Sequence, residues 1–457
     1  MPDLRAALSA VLRVEQIDAS DSARELHSRG ESTALARLPD VVVYPESTAD
    51  VQAIVRVAGA VNVPITPVGA NSSLEGHTVP INGGISLSLV RMGAIKEVAA
   101  GDMLAVVEAG VIYQRLNHAL RQTGLFFPVD PGAEATLGGM AATNASGTLA
   151  VRYGVMKDQL YALEVVLADG SVIRTGGRAK KSSSGYDLTR LFCGAEGTLG
   201  IITELTLKLT PRPQCVVGAR VSFHRVADCV HLVTELIQAG LHPARCELVD
   251  AAAIAAINVH LGLTLAPQPT LFLEFHGTEA VTRVAVEELR ELAASRSAMA
   301  VAAAADGPEL RALWEARHRA LPSLVAAHPG MDSLITDLAV PLSQLPRIVA
   351  DAQELTAALG LPAYVLGHVG DGNFHVTIFY PGADEGALAK ANGAHAQLVA
   401  KVLAVGGTCT GEHGIGVRKL PYVRAEHGHA VDTMWTIKEA LDPRGIMNPG
   451  KKLPPRH

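Results

Sequence analysis

A run of seventeen residues constrains the fold more than any other feature of this sequence. Residues 131–147 read Pro-Gly-Ala-Glu-Ala-Thr-Leu-Gly-Gly-Met-Ala-Ala-Thr-Asn-Ala-Ser-Gly, and most of them are glycine, alanine, serine or threonine. Such a segment has little side-chain bulk with which to fill a core at the usual packing density. We therefore expect something other than protein side chains to occupy the space beside it.

Two further loops share this composition. Residues 67–76 directly follow a predicted strand, and residues 194–203 combine three glycines with small neighbours. Backbone N–H groups of such loops can turn toward a pyrophosphate without hindrance from side chains. A single loop of this kind is most often a plain turn, but the three segments together favour a bound phosphate ligand. No Gly-x-Gly-x-x-Gly opens a helix after the first strand, which disfavours an NAD-dependent enzyme.

The first two hundred residues predict an α+β domain. Ser47, with Asp50 three residues later, has the pattern of a helix N-cap before apolar residues at helical spacing. Asp169-Gly170 predicts a hairpin turn. The predicted strands cover residues 41–44, the surroundings of 65, 106–109, 163–168 and 172–174.

The sequence changes character after Pro211-Arg212-Pro213, where we place a domain boundary. Alanine-rich segments with helical spacing then alternate with strand-like ones, which predicts a sheet covered by helices. The predicted helices cover residues 225–240, 249–257, 280–294 and 341–359, and the predicted strands cover 270–275 and 363–367. A chain of 457 residues is long enough for two such cores.

Composition excludes several kinds of partner and location. The net charge of −6 shows no basic surplus, so nucleic acid is not an expected partner. Five cysteines without a Cys-x-x-Cys pair indicate a reducing compartment. No apolar run reaches the length of a membrane span, and acidic residues interrupt the first thirty positions, unlike a mitochondrial presequence. We expect a cytoplasmic protein, with peripheral contact at the inner face of a membrane left open.

Two glycine-framed clusters of histidine and carboxylate lie in the second half. Residues 367–375 place His368 and His375 seven positions apart around a predicted turn at 371–373, which would bring the imidazoles side by side. Residues 411–416 add Glu412 and His413. Each histidine taken singly is more often structural, but two imidazoles and a carboxylate together favour a site for Zn²⁺, Mn²⁺ or Fe²⁺. Because neighbours on an extended strand face opposite sides, we assign Glu412 to the metal and His413 to proton transfer.

Several ordered motifs resemble one known family. The chain is similar, from about residue 40 to residue 451, to the FAD-linked D-lactate dehydrogenases of the D-2-hydroxy-acid dehydrogenase group, within the flavoproteins of the vanillyl-alcohol oxidase type. The motifs that carry the resemblance are Phe127-Pro128-Val129-Asp130-Pro131-Gly132, Gly138 to Thr143, Ala145-Ser146-Gly147, Val151-Arg152-Tyr153-Gly154, Gly194 to Gly200, Gly367 to His375, Gly411 to Gly416, Asp442-Pro443 and Met447-Asn448-Pro449-Gly450-Lys451.

The resemblance implies an α+β fold with a two-part FAD-binding domain at 1–213, an α+β cap domain at 214–425 that carries the metal, and a C-terminal segment at 426–457 that returns to the FAD. His77 lies just past the loop through which some relatives attach FAD covalently, and we expect non-covalent FAD. The implied FAD-binding residues are Gly69, Ala70, Asn71, Ser72, Ser73, Pro131, Gly132, Thr136, Gly138, Gly139, Ala142, Thr143, Ser146, Gly147, Gly197, Ile202 and Asn448.

The resemblance also implies the reaction. His368, His375 and Glu412 would be the ligands of a divalent metal, His413 the base and Arg317 the clamp for the substrate carboxylate. The expected activity is oxidation of a small D-2-hydroxy acid, foremost D-lactate, with electrons passed to cytochrome c, a quinone or an electron-transfer flavoprotein. The alternatives are an oxidase of the same fold, a substrate such as glycolate or D-2-hydroxyglutarate, and a flavin-free metal-binding protein. A homodimer is compatible with the sequence.

Overall fold

The computed structural model describes residues 4–31, 35–305 and 307–456. The chain divides into two compact units. The first unit consists of Met1–Gly147, Gly154–Arg212 and Glu412–His457, and the second of Thr148–Tyr153 and Pro213–Gly411. Helices and strands occur in both, as the α+β prediction required.

The first unit contains two larger sheets and a two-stranded ribbon. In the four-stranded sheet the strands Val41–Val43, Ile85–Ser88 and Ile65–Val68 run parallel to one another, and Ile17–Asp18 is antiparallel to its neighbour. Neighbouring strands of the five-stranded sheet are antiparallel. In spatial order, the strands of the first sheet are Ile17–Asp18, Val41–Val43, Ile85–Ser88 and Ile65–Val68; those of the second are Ile95–Ala99, Leu104–Glu108, Ile201–Lys208, Leu160–Val166 and Val172–Gly176; the ribbon pairs Thr210–Pro211 with Leu125–Phe126.

The local predictions for this unit hold within a few residues. The helix Thr48–Val61 begins after Ser47, whose side chain accepts a hydrogen bond from the Asp50 N–H at 3.2 Å. At the predicted hairpin, Gly170 has the positive φ of +78° that this turn requires. The helices of the first unit are Leu4–Ser9, Asp21–Leu26, Thr48–Val61, Tyr113–Ala119, Leu137–Thr143, Leu188–Phe192, Leu420–His427 and Ala430–Leu441.

The second unit is built on one eight-stranded antiparallel sheet. Side chains alternate between its faces. Phe272 points to one face, with its ring 6.2 Å from that of Trp314, while Gly277 lies on the other face against Val281. The strands in spatial order are Ala300–Ala305, Cys215–Ser222, Thr270–Gly277, Arg245–Val249, Ala363–Gly367, Asn373–Pro381 and Met331–Ile335, and Leu338–Ala339 also pairs with Asn373–Pro381.

Helices cover both faces of this sheet, so the predicted sheet covered by helices is confirmed. The helix predicted at 249–257 begins later, at Ala251, because Val249 ends a strand and Asp250 caps the helix by accepting the Ala253 N–H at 2.7 Å. No helix within the described ranges combines the length and apolar character that crossing a bilayer requires. The helices of the second unit are Ala150–Tyr153, Val226–Gln238, Ala251–Leu261, Glu279–Ser295, Pro308–His318, Ala320–Ala327, Leu345–Leu359 and Glu385–Ala404.

Candidate active site

The small-residue loops of the first unit meet. A Cβ placed on Gly69 would overlap the Thr136 hydroxyl, and one on Gly138 would lie 2.5 Å from the Ala109 side chain. Thr136 itself caps the helix Leu137–Thr143 by accepting the Gly139 N–H at 3.3 Å. The loop after Val68 and the run at 131–147 are therefore in direct contact, and each glycine is required by the close approach of its neighbour.

The third loop packs on the same helix. The N–H groups of Gly194 and Glu196 donate to the carbonyls of Ala141 and Ala142, each at 2.8 Å. Gly197 has a φ of +71°, and a Cβ there would overlap the ring of Pro67. Backbone contacts thus join segments that are more than fifty residues apart in the sequence.

The C-terminal segment joins these loops through Asn448. Its buried side-chain amide donates to the carbonyls of Glu196 at 2.7 Å and of His77 at 3.1 Å. Lys438, also buried, donates to the carbonyls of Thr198 and Met447 at 2.7 and 2.8 Å. The segment around Asn448 is thereby fixed against two of the three loops.

These features fit a dinucleotide. The buried Oδ1 of Asn71 and Oγ1 of Thr78 have no hydrogen-bond partner among the described residues, and buried polar atoms normally have one. Small residues line the meeting point, where backbone N–H groups can approach a phosphate. Gly132 and Ala70 are exposed, and a Cβ on Gly132 would meet open space, so sterics give no reason for glycine at that position.

His77 is engaged with the protein itself. Its Nδ1 is hydrogen-bonded to the Ser73 hydroxyl, and its Nε2 lies 3.4 Å from a carboxylate oxygen of Glu196. Burial alone would raise the pKa of Glu196, but the charges of His77 and Lys452 and hydrogen bonds hold it well below its usual range. The same carboxylate accepts the N–H groups of Ile415 and Gly416 at 2.8 Å each. Sequence reasoning missed Glu196, although it lies inside a recognised motif.

The segment with the predicted base is held by a second buried carboxylate. Glu75 lies 3.4 Å from Nδ1 of His413 and 3.2 Å from Nζ of Lys419. Burial opposes its charge, but Lys419, His413 and Arg418 outweigh this and lower the pKa of Glu75 to about 2. A carboxylate facing Nδ1 favours a proton on that nitrogen and leaves the lone pair on Nε2.

The prediction that Glu412 and His413 lie on an extended strand is wrong. Glu412 and His413 were expected to face opposite sides because they were taken to lie on a strand. The chain from Gly411 to Gly416 forms bends and turns instead, and a carboxylate oxygen of Glu412 and a ring nitrogen of His413 lie within 4.8 Å of each other. Both side chains can therefore serve the same site.

In the second unit, the predicted pairing of two histidines is confirmed. His368 follows the strand Ala363–Gly367, and His375 lies on the antiparallel strand Asn373–Pro381, opposite Leu366. A short turn at Val369–Asp371 joins them. The centroids of the two imidazole rings are 5.4 Å apart, and the rings are nearly perpendicular.

Both imidazoles are oriented through Nδ1. Nδ1 of His368 is 2.7 Å from a Glu247 oxygen, and Nδ1 of His375 is 3.0 Å from the Thr336 carbonyl. An Nδ1–H bound to an acceptor leaves the lone pair on Nε2, which is how histidine usually binds metals. The two residues therefore fit a divalent cation. Asp337 lies 4.0 Å from His375 and accepts hydrogen bonds from Asn373 and Thr410.

Glu247 also holds the predicted substrate clamp. Nε and Nη2 of Arg317, on the helix Pro308–His318, lie 2.9 and 2.6 Å from the second carboxylate oxygen of Glu247. The carboxylate is fully buried. Burial would raise its pKa, but the charges of His368 and Arg317 and their hydrogen bonds lower it. The sequence gives one hint of Glu247, an acidic residue inside an apolar strand.

A similar network lies beside it on the same sheet face. Glu274 binds Arg245 at 3.1 and 3.2 Å and Nε2 of His276 at 2.7 Å, and Nδ1 of His276 is 2.7 Å from the Tyr153 hydroxyl. Each of the two networks thus centres on a buried glutamate that holds one arginine and one histidine.

The structure places Glu412, His413 and all of the predicted FAD-binding residues in the first unit. It places Arg317, His368 and His375 in the second unit. Ser146, Gly147 and Pro131 lie close together, since a Cβ on Gly147 would be 2.5 Å from the carbonyl of Asp130. Ile202 lies on the strand Ile201–Lys208, buried opposite Val165.

Two parts of the chain match known families. Residues 39–176 match a family described as an FAD binding domain, and residues 212–452 match the C-terminal domain of FAD linked oxidases. The latter match covers more than half of the chain.

Individual proteins are similar to this chain over most of its length. The chain is 42% identical over 419 residues to the mitochondrial D-lactate dehydrogenase [cytochrome] of Arabidopsis thaliana, covering 92% of this chain and 74% of the relative. It is 42% identical over 443 residues to a probable mitochondrial D-lactate dehydrogenase of Danio rerio, covering 96% and 89%. The glycolate oxidase subunit GlcD of Bacillus subtilis is 34% identical over 454 residues, covering 98% and 96%.

Solved structures support the fold alone. A 4-ethylphenol oxidase from Gulosibacter chungangensis has a TM-score of 0.80 at 20% identity, covering 99% of this chain and 97% of that one. A p-cresol methylhydroxylase also has a TM-score of 0.80, at 17% identity, covering 99% and 96%. Together with the two family matches, they confirm the expected fold, in which an FAD-binding domain is combined with a second domain of helices and strands.

Proposed function

This chain belongs to the family of FAD-linked oxidases, and we propose that it oxidises a small D-2-hydroxy acid, with D-lactate preferred, to the corresponding 2-keto acid. The observation that carries the choice of D-lactate is 42% identity, over more than nine tenths of the chain, to two proteins named D-lactate dehydrogenases. The relative named glycolate oxidase subunit makes glycolate the second candidate.

Arg317 is the proposed clamp for the substrate carboxylate. Glu247 occupies Nε and one side of Nη2, and a guanidinium has five N–H donors. The remaining donors, on Nη1 and the other side of Nη2, form an edge that matches a carboxylate in the bidentate geometry that favours arginine. Such a contact fixes the α carbon and its hydroxyl relative to the other groups.

His368, His375 and Glu412 are the proposed ligands of a divalent cation, Zn²⁺, Mn²⁺ or Fe²⁺. The support from the structure is the orientation of the two imidazoles through Nδ1; the assignment of Glu412 rests on the sequence motif. A divalent cation, when bound, supplies Lewis acidity that lowers the pKa of a hydroxyl group.

His413 is the proposed base. The Glu75 carboxylate near Nδ1 leaves Nε2 able to accept the proton of the substrate hydroxyl, and it stabilises the imidazolium that results. The proton goes to Nε2, and the α hydrogen leaves with its electron pair. FAD, when bound, supplies the hydride acceptor.

We propose that FAD is held without a covalent bond, because Nδ1 of His77 is hydrogen-bonded to Ser73 and Nε2 lies 3.4 Å from the Glu196 carboxylate. Cytochrome c is the proposed electron acceptor, since three relatives carry the word cytochrome in their names. A quinone or an electron-transfer flavoprotein is the alternative. An oxidase that reduces O₂ would differ only in this last step.

The test is an anaerobic stopped-flow titration of the purified protein with D-lactate, L-lactate, glycolate and D-2-hydroxyglutarate, before and after chelation. We expect the flavin band to bleach fastest with D-lactate, to fail after chelation and to recover when Mn²⁺ is restored. Faster bleaching by another acid would transfer the proposal to that substrate. Full bleaching by D-lactate after complete metal removal would contradict the cation's role.

A further inference from the structure

We infer that Glu247 is a positioning residue that sets both the substrate clamp and the cation ligand, so that one buried carboxylate governs the affinity for the hydroxy acid and for the metal. The inference rests on the proposed function for the roles of Arg317 and His368. The contacts of Glu247 with both residues are independent of that assignment.

Glu247 holds the guanidinium of Arg317 in one orientation. A flexible arginine side chain has many rotamers, and holding it in one of them before substrate arrives reduces the entropy lost on binding. Two N–H groups directed at a single Glu247 oxygen, at 2.9 and 2.6 Å, fix the plane of the guanidinium. If Glu247 were neutral, the guanidinium would lose these two charged hydrogen bonds and would turn toward water or toward other acceptors.

Glu247 also orients the imidazole of His368. Its Nδ1 lies 2.7 Å from the other oxygen of Glu247. A carboxylate at this position holds the proton on Nδ1, directs Nε2 outward and makes the imidazole a stronger electron donor to a cation. His375 obtains the same tautomer from a backbone carbonyl, which no side-chain substitution removes. His368 alone therefore depends on a replaceable group.

Glu247 is itself held rigidly by the sheet. It lies in the middle of the strand Arg245–Val249, between the strands Thr270–Gly277 and Ala363–Gly367, and none of it is exposed. Both oxygens are used, one for each partner. A glutamine here can accept through one oxygen only and presents N–H donors on its other side, facing a group that is itself a donor.

The neighbouring Glu274 supplies a matched control. It too is buried on this sheet face and holds one arginine, Arg245, and one histidine, His276. Neither of these partners is assigned to substrate or cation. Substitution of Glu274 therefore reproduces the loss of a buried charge without touching the proposed site.

The experiment compares Glu247→Gln with Glu274→Gln in the full-length FAD-loaded protein. Mn²⁺ affinity is measured by calorimetry on chelated protein without substrate, and kcat and KM for D-lactate are measured across Mn²⁺ concentrations. For Glu247→Gln we expect Mn²⁺ affinity to fall about 10–100-fold, the range for loss of such a hydrogen-bond partner. We further expect excess Mn²⁺ to restore kcat but to leave KM raised at least tenfold, because Arg317 remains unfixed. Glu274→Gln should leave Mn²⁺ affinity and KM within about twofold of the parent protein, as expected of a substitution outside the site.

A Glu247→Gln protein with unchanged Mn²⁺ affinity and unchanged KM would overturn the inference, as would equal losses in both variants. If Glu247→Gln does not fold, Glu247→Asp keeps the charge but shortens the reach, and it should raise KM and weaken Mn²⁺ binding by smaller factors; no change in either would again overturn it. Failure of the parent protein to be bleached by any of the four acids would instead refute the proposed function, whereas the Mn²⁺ titration would still test the His368 contact. A parent protein that binds no Mn²⁺, Zn²⁺ or Fe²⁺ overturns the inference.

Discussion

The two units arrange their candidate site residues by opposite means. In the first unit, three loops approach one another because side chains are small or missing, and backbone N–H and C=O groups hold them together. In the second unit, charged side chains on one face of a sheet hold each other through short contacts to buried carboxylates. The first arrangement brings backbone groups together with little side-chain bulk between them, and the second fixes the direction of individual donors and acceptors.

This difference predicts how each unit should respond to substitution. In the first unit, adding a side-chain atom to a loop glycine should weaken cofactor binding, because the close approach of the loops depends on small residues. In the second, replacing one charged group by a similar one should reduce turnover while the cofactor stays bound. The following predictions test that contrast, in order of decreasing effect.

The largest effect is expected for Arg317→Lys. An ammonium group cannot form the paired contacts that Arg317 makes with Glu247 and would offer to a carboxylate. We expect kcat/KM for D-lactate to fall roughly 10³-fold, or about 4 kcal/mol, within the range for disrupting a buried charge pair. The flavin absorbance per protein should not change. Arg311→Lys, at an exposed position of the same helix, is the control, and loss of flavin from Arg317→Lys would break the contrast.

The second prediction concerns pH and the first unit. The folded pKa of Glu75, about 2, lies below the ordinary value of 4.5, so its contribution to stability is present above pH 5 and disappears as the pH falls toward 2. A difference of this size corresponds to about 3 kcal/mol. Urea unfolding of the parent protein and of Glu75→Gln should therefore differ by about 3 kcal/mol at pH 7 and by about 1 kcal/mol at pH 3. A constant difference across this range would show that the charge of Glu75 is not what stabilises the loop.

Features determined by neighbouring residues could be predicted from the sequence, whereas contacts between distant residues could not. The pairing of His368 with His375 was predictable, because a short turn between two strands determines it locally. Each small-residue loop was recognisable from its own composition. The three loops were expected to lie near one another because together they favoured one bound ligand. Glu247 was not predictable, because its partners lie 70 and 121 residues away and an isolated glutamate in a strand does not indicate what it faces. The directions of the Glu412 and His413 side chains were predicted wrongly, because the chain turns where a strand was assumed.

The third prediction tests shape in the first unit. In Gly69→Ala, the added methyl group would displace the Thr136 hydroxyl and thereby remove the N-cap of the helix Leu137–Thr143. We expect FAD to bind at least tenfold more weakly, through a loss of about 2 kcal/mol that combines overpacking with the lost cap. Equilibrium dialysis against FAD measures this directly. Gly101→Ala, where a Cβ meets nothing within 4 Å, should leave the FAD affinity unchanged.

The smallest expected effect shows where the two units do not differ. Ser47 caps a helix in the first unit, and Thr278 caps one in the second, by accepting the N–H groups of Asp50 at 3.2 Å and Val281 at 3.4 Å. Replacing either residue by alanine removes one hydrogen bond at a helix end, which costs about 1 kcal/mol. Thermal unfolding should detect a small loss in both variants, while the FAD content, Mn²⁺ affinity and KM stay at parent values. Release of FAD by Ser47→Ala, or a raised KM in Thr278→Ala, would contradict the contrast between the units. Either result would show that a general loss of stability, and not the loops or the buried carboxylates, causes such effects.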